Sequence, residues 1–203
     1  MKIICIGRNY VKHIEELNNE IPSEPVFFMK PDTALLPKGN AFYLPTFSKD
    51  IHHEIELVLR ISKEGKNISE KFAARYFDSI TVGIDFTARD IQQKQKDKGL
   101  PWEPAKAFDN SAPVGTTISI DDVIDVTDIS FHLDINGKTV QKSSNKFMIH
   151  SFEKIISYVS TYITLRKGDL IFTGTPEGVG QVNPGDLLEC YLEDKCLLKV
   201  MVK

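Results

Sequence analysis

Residues 51–61, Ile51-His52-His53-Glu54-Ile55-Glu56-Leu57-Val58-Leu59-Arg60-Ile61, constrain the fold more than any other segment. Side chains on a strand repeat every two residues. Ile51, His53, Ile55, Leu57, Leu59 and Ile61 therefore share one face, and His52, Glu54, Glu56, Val58 and Arg60 the other. The pattern predicts one strand through the whole segment and a core built largely from β-structure. It also points Glu54 and Glu56 the same way, with roots roughly 6.5–7 Å apart. Carboxylates are seldom buried unless they are paired or bind a metal. Two of them in such apolar sequence suggest a site, the alternative being a half-exposed strand whose acids face water.

A third acid has a similar setting. Ile80 to Phe86 reads as a strand with Ile80, Val82, Ile84 and Phe86 on one face and Asp85 on the other, with Thr81 and Gly83. Glu54, Glu56 and Asp85 would form an all-oxygen ligand set, which suits magnesium, manganese or calcium better than zinc or copper. Three protein ligands leave positions on an octahedral ion for water or a bidentate substrate.

Around these segments the chain reads as one α+β domain spanning 1–203, rich in strands and without the regular βαβ alternation of a doubly wound sheet. Strands are expected at Ile3–Ile6, Val26–Met29, Ile129–Ile135 and Lys138–Lys142, the last two joined by Asn136-Gly137, a strong hairpin signal. Helical segments are expected at 10–17, 70–77, 88–98 and 147–161, and short strands from Asp169 onward. Gly99 and Pro101 should stop the third helix, and Pro31, Pro37, Gly39 and Pro45 should keep their stretch irregular.

The net charge of −3 leaves no basic footprint for nucleic acid or an anionic membrane surface. The longest apolar runs are strand-sized, and the N-terminus is too short and too soon charged for a signal peptide. Cys5, Cys190 and Cys196 are odd in number and scattered, which argues against a disulfide framework or a zinc site. A reducing, cytoplasmic setting is the plain expectation.

Other candidates carry alternatives. Thr173-Gly174-Thr175-Pro176-Glu177-Gly178-Val179-Gly180 follows an expected strand but lacks the lysine, hydroxyl residue and helix of a phosphate loop. Its amides and the Thr175 hydroxyl would suit a small carboxylate, or the segment is a tight loop between strands. His13 and Glu16 are neighbours at i and i+3 on a helix, where the carboxylate would fix the tautomer of a general base, or both simply face water. Lys30 and Lys106 are candidates to stabilise an anion beside a metal, or snorkelling surface lysines. His53 falls with the apolar set, as a core histidine would.

Taken in order, several segments resemble the fumarylacetoacetate hydrolase family, especially its small acylpyruvase and oxaloacetate decarboxylase members. They are Gly7-Arg8-Asn9-Tyr10 with His13, Phe28-Met29-Lys30-Pro31, His53-Glu54-Ile55-Glu56-Leu57, Asp85-Phe86-Thr87-Ala88-Arg89-Asp90-Ile91-Gln92, Lys98-Gly99-Leu100-Pro101-Trp102 with Lys106, and Gly174 to Gly180. The resemblance implies a mixed β-roll with peripheral helices and a homodimer. It implies Mg²⁺ or Mn²⁺ on Glu54, Glu56 and Asp85, a water-activating dyad of His13 and Glu16, and Lys106 steadying an enolate or oxyanion. Lys30, Arg89, Gln92 and Thr175 would line a site for a small carboxylate substrate. The stretch Ser143-Ser144-Asn145-Lys146-Phe147-Met148 departs from the run that members often carry there. The implied activity is carbon–carbon cleavage in 2-oxo or 1,3-dioxo acids, by hydrolysis or decarboxylation. The alternatives are isomerisation of an unsaturated oxo-dioate and a non-catalytic binder of metal and carboxylates on the same scaffold.

Overall fold

The computed structural model describes residues 1–16 and 21–203. In chain order the strands are β1 (Ile3–Gly7), β2 (Val26–Lys30), β3 (Ile51–His53), β4 (Ile55–Ile61), β5 (Phe77–Ile84), β6 (Thr87–Ala88), β7 (Ile118–Ser119), β8 (Ser130–Ile135), β9 (Lys138–Ser144), β10 (Leu170–Phe172), β11 (Gly180–Gln181), β12 (Leu187–Leu192) and β13 (Lys195–Met201). The helices are α1 (Val11–Glu16), α2 (Arg89–Lys98), α3 (Glu103–Lys106) and α4 (Phe152–Tyr162). A six-stranded sheet runs β2-β1-β10-β4-β5-β7, a three-stranded one β11-β3-β6, and a four-stranded one β13-β12-β8-β9. Only the β1–β10 pairing is parallel, so the large sheet is mixed. The strand-rich α+β class expected from periodicity is the one observed.

The strand expected across 51–61 is two strands. Residues 51–53 pair with β6 and β11, and from Ile55 the chain enters the six-stranded sheet. Glu54 is the joint between them. Its carbonyl accepts the Asp85 amide at 2.9 Å, and the Gln141 side-chain oxygen takes the Ile55 amide at 3.0 Å. A side chain from another hairpin thus supplies a bond that a continuous ladder would have made. Alternation alone could not reveal this, because the face pattern survives the break.

Both faces of β4 are covered. On one, Leu57 and Leu59 join Ile80, Val82, Ile155 and Val159 in the main core. On the other, Val58 packs with Ile3, Cys5, Phe172, Ala34 and Ala112. Arg60 alone on β4 is exposed. Gly83 on β5 lies opposite Glu56, and a Cβ there would stand 2.7 Å from the Phe172 ring and 2.9 Å from Val58. This close approach requires glycine.

Elsewhere the helix expected at 147–161 starts at Phe152, because Ser151 caps it by accepting the Lys154 amide. Asn145–Phe147 is instead a 3₁₀ turn. Residues 70–76 are likewise 3₁₀. The 136–137 turn has φ of 53° and 77°, the signature of a two-residue hairpin with both central residues left-handed. Helix α2 ends as expected on left-handed Gly99. Of the helix expected at 10–17, Leu17 lies outside the described residues. All three cysteines are free, and no described helix is long and apolar enough to cross a membrane.

Candidate active site

Antiparallel pairing of β4 and β5 brings the three acids together. Ile55 faces Ile84 and Glu56 faces Gly83, so Glu54 and Asp85 lie side by side at the strand ends with Glu56 beneath them. Their exposures are 4%, 2% and 1%, which removes the solvated-face alternative. One carboxylate oxygen from each lies within 4.8 Å of the other two. Three buried negative charges this close are tenable only with compensation.

Part of that compensation comes from the protein. Lys106, at the end of α3, donates to Glu54 Oε2 at 2.6 Å, Asp85 Oδ2 at 2.7 Å and the Thr87 hydroxyl at 2.6 Å. Arg89, the first residue of α2, reaches Glu54 Oε1 at 2.5 Å and the Gln92 side-chain oxygen at 2.7 Å. Lys30, at the end of β2, forms an ion pair with Asp85 Oδ1 at 2.8 Å. It also donates to Ser111 Oγ at 2.9 Å and to the Lys106 carbonyl. Lys30 therefore approaches from behind Asp85 and spends its donors on the protein, whereas Arg89, Gln92, Lys106 and Thr175 line the cleft.

The charges are distributed unevenly. Burial alone would raise the Glu54 carboxyl, but Lys106 and Arg89 outweigh it and hold the group far below the usual carboxylate range. Glu56 behaves oppositely. Burial pushes it well above its ordinary value, and the neighbouring Asp85 and Glu54 push the same way. Its only donor among the described residues is the Gly174 amide, at 2.7 Å. Burial opposes the Lys106 charge too, yet Asp85 and Glu54 keep that ammonium above the ordinary lysine range. A buried carboxylate without a cation, in an all-oxygen cluster open to a cleft, fits a hard divalent ion.

His13 lines the same cleft and is 6% exposed, so the helix carrying it does not simply face water. Its Nδ1 lies 3.3 Å from Glu16 Oε2, and Glu16 in turn accepts the Gly178 amide at 3.1 Å. Burial lowers the imidazole pKa, with Glu54 and Glu16 opposing that shift, so the site favours the neutral ring.

The glycine-rich loop thus gives two amides to the protein's own carboxylates, through left-handed Gly174 and Gly178. Thr175 is oriented by the Gln141 side-chain amide at 3.0 Å, and Gln141 Oε1 also lies 2.9 Å from His53 Nδ1. His53 is accordingly a bonded core histidine, 2% exposed.

Sequence reasoning gave no role to several residues here. Gln141 falls within the strand expected at Lys138–Lys142 and is buried between His53 and Thr175. Thr87 stands two residues beyond Asp85 and bonds Lys106. Asn9 is fully buried and ties the Thr173 and His150 carbonyls to the start of α1. Arg8 is left-handed (φ 59°), a conformation that costs a non-glycine residue about 1 kcal/mol. With Lys96 and Trp102 it lines the cleft.

The fumarylacetoacetate hydrolase C-terminal family profile matches residues 2–203. The chain belongs to this family. It is 40% identical over 201 residues to the mitochondrial oxaloacetate tautomerase FAHD1 of Mus musculus, covering 99% of this chain and 91% of that one. It is 42% identical over 190 residues to the mitochondrial oxaloacetate decarboxylase of Dictyostelium discoideum, covering 93% and 87%. The crystal structure of fumarylpyruvate hydrolase from Pseudomonas aeruginosa, in complex with Mn²⁺ and pyruvate, superposes with a TM-score of 0.93 at 36% identity, covering 100% of this chain and 89% of that one. These relatives are enzymes of small oxo acids, and the chain is an enzyme of that family.

Proposed function

We propose that this enzyme depends on Mg²⁺ or Mn²⁺ held by Glu54, Glu56 and Asp85, and that it cleaves a carbon–carbon bond in a small 2-oxo or 1,3-dioxo acid through an enolate. The observation that carries this reading is the buried carboxylate triad with Glu56 left without a cation, at the floor of a cleft lined by His13, Lys106 and Thr175. A divalent ion held there would supply Lewis-acid charge worth several kcal/mol where negative charge develops on the substrate.

The chain's own residues do the rest. Glu16, pinned by Gly178, fixes the His13 tautomer through Nδ1 and leaves Nε2 to take a proton from water. Water attack on the distal carbonyl of an acylpyruvate gives hydrolysis. Lys106, whose N–H groups are taken by Glu54, Asp85 and Thr87, acts on the developing oxyanion through its positive charge. Arg89, Gln92 and Thr175 orient the substrate, and Lys30 fixes Asp85 from behind. The protein works as a homodimer.

The tautomerase name of a close relative favours a second reading, enol–keto interconversion of oxaloacetate. It needs a proton moved between carbon and oxygen, and no attacking water.

The test is turnover of acetylpyruvate and oxaloacetate with Mg²⁺ or Mn²⁺, alongside the rate of enol–keto equilibration of oxaloacetate. Metal uptake without turnover in any of these assays would make the protein a binder. His13→Ala should lower acetylpyruvate hydrolysis by ~10²–10⁴ and spare decarboxylation, which needs no activated water. Full hydrolase activity in that variant would remove the dyad.

A further inference from the structure

Gln141 on β9 is 1% exposed, and both ends of its amide are fully engaged. Its Oε1 accepts the Ile55 amide at 3.0 Å and lies 2.9 Å from His53 Nδ1. Its Nε2 donates to Thr175 Oγ1 and to the Pro176 carbonyl, both at 3.0 Å. The two backbone partners fix which end is which. The Ile55 N–H can only donate and the Pro176 carbonyl can only accept, so a turned amide would lose both bonds. The bond to Thr175 therefore runs from the amide to the hydroxyl oxygen, and the Thr175 proton has to point elsewhere. That hydroxyl donates to no described residue, and Thr175 lines the cleft beside Glu54, Glu56 and Asp85.

The β8–β9 hairpin is shaped for this contact. Leu133 pairs with Gln141 and Asp134 with Thr139, which leaves Val140 over as a bulge. Bulges re-aim side chains next to active sites. The Val140 carbonyl also presses on the glycine-rich loop, since a Cβ on left-handed Gly178 would stand 2.5 Å from it. Gly178 in turn gives its amide to Glu16. One hairpin thus holds Ile55, the residue after Glu54, together with both ends of the loop that faces the cleft.

We propose that Gln141 is a positioning residue for substrate binding: by occupying Thr175 Oγ1 as an acceptor, it commits the Thr175 hydroxyl to donate to a carboxylate oxygen of the substrate. A free threonine hydroxyl can turn to donate or accept. Here the amide makes that choice in advance and ties it to the strand joint that carries Glu54. Gln141 acts through Thr175 and does not touch the reacting atoms. The inference rests on the reading above, in which a small oxo acid occupies this cleft.

Pyruvate, the smallest 2-oxo carboxylate, is the probe. Its binding with saturating Mg²⁺ is read by the fluorescence of Trp102, the only tryptophan in the chain, which lines the same cleft. Thr175→Val should weaken pyruvate about tenfold, the loss of one hydrogen bond to a charged oxygen. Gln141→Met keeps the side-chain length, removes the donor and should weaken pyruvate about three- to tenfold. The double variant should bind within about twofold of Thr175→Val alone, because both changes remove the same interaction. In turnover of acetylpyruvate or oxaloacetate, the loss in Gln141→Met should fall on KM more than on kcat. A residue that merely props the loop would lower kcat by disturbing Glu54 and Glu16, and its effect on binding would multiply with that of Thr175→Val. Either result overturns the proposal. So does unchanged pyruvate affinity in Thr175→Val, a measurement that needs no Gln141 variant to fold. Where the wild type turns over a substrate but gives no pyruvate signal, KM carries the same comparison. If it neither binds pyruvate nor turns over either substrate with Mg²⁺, the reading of the function fails instead, and the role of Gln141 with it.

Discussion

Replacing Lys106 by methionine removes the ammonium that touches Glu54 Oε2, Asp85 Oδ2 and Thr87 Oγ1 while keeping most of the side-chain volume. The lysine side chain is 4% exposed and its partners 5% and 1%, so solvent screens little of the interaction. Removing one member of a buried ion pair costs about 3–5 kcal/mol, because the other charge stays behind. Here each carboxylate keeps a second cation, Arg89 on Glu54 at 2.5 Å and Lys30 on Asp85 at 2.8 Å. The lower end, about 3 kcal/mol, is therefore expected. For a domain of this size that is a fall in Tm of roughly 6–12 °C in EDTA.

Saturating Mg²⁺ should recover more stability in this variant than in the wild type, because the ion replaces the missing positive charge. Binding at a hundred times Kd is worth about 2.7 kcal/mol. Turnover should stay down by ~10²–10³. The pH dependence follows the sign of the Glu54 shift. A depressed carboxyl contributes stability above its ordinary pKa of 4.5, and the contribution disappears as pH falls below that value. The variant should show a shallower acid limb. Melting within about 2 °C of the wild type in EDTA, or no extra gain from Mg²⁺, would refute the view that Lys106 neutralises the triad.

Glu56→Gln should raise the Tm of metal-free protein, since it removes a charge facing Asp85 and Glu54 while keeping an oxygen for the Gly174 amide. It should also abolish the Mg²⁺-dependent rise in Tm, and a lower metal-free Tm would contradict this account. Glu16→Gln removes a group that raises the His13 pKa. The acid limb of hydrolysis should then move to lower pH while the maximal rate falls, and a shift toward higher pH would reverse the assigned roles. Gly83→Ala forces a methyl to within 2.7 Å of the Phe172 ring. A loss of about 1–3 kcal/mol in urea unfolding is expected, and a neutral effect would mean the ring moves aside freely.

Local sequence determined the β-rich class, because alternation in 51–61 and 80–86 and the Asn136-Gly137 turn act over neighbouring residues. It also determined that Glu54 and Glu56 belong together, since period-two geometry keeps two acids near each other even where the strand breaks. The ordered motifs pointed to the family. What sequence left open was charge balance, because burial and long-range pairing set it. Only the register of β4 against β5 brings Asp85 beside Glu54. Only the folded chain sends Lys30 behind Asp85, lends Gln141 to both His53 and Thr175, and sets Arg8 and Lys96 along the wall of the cleft. Strand periodicity is written in residues two apart. The field inside the site is made by groups that meet from across the whole chain.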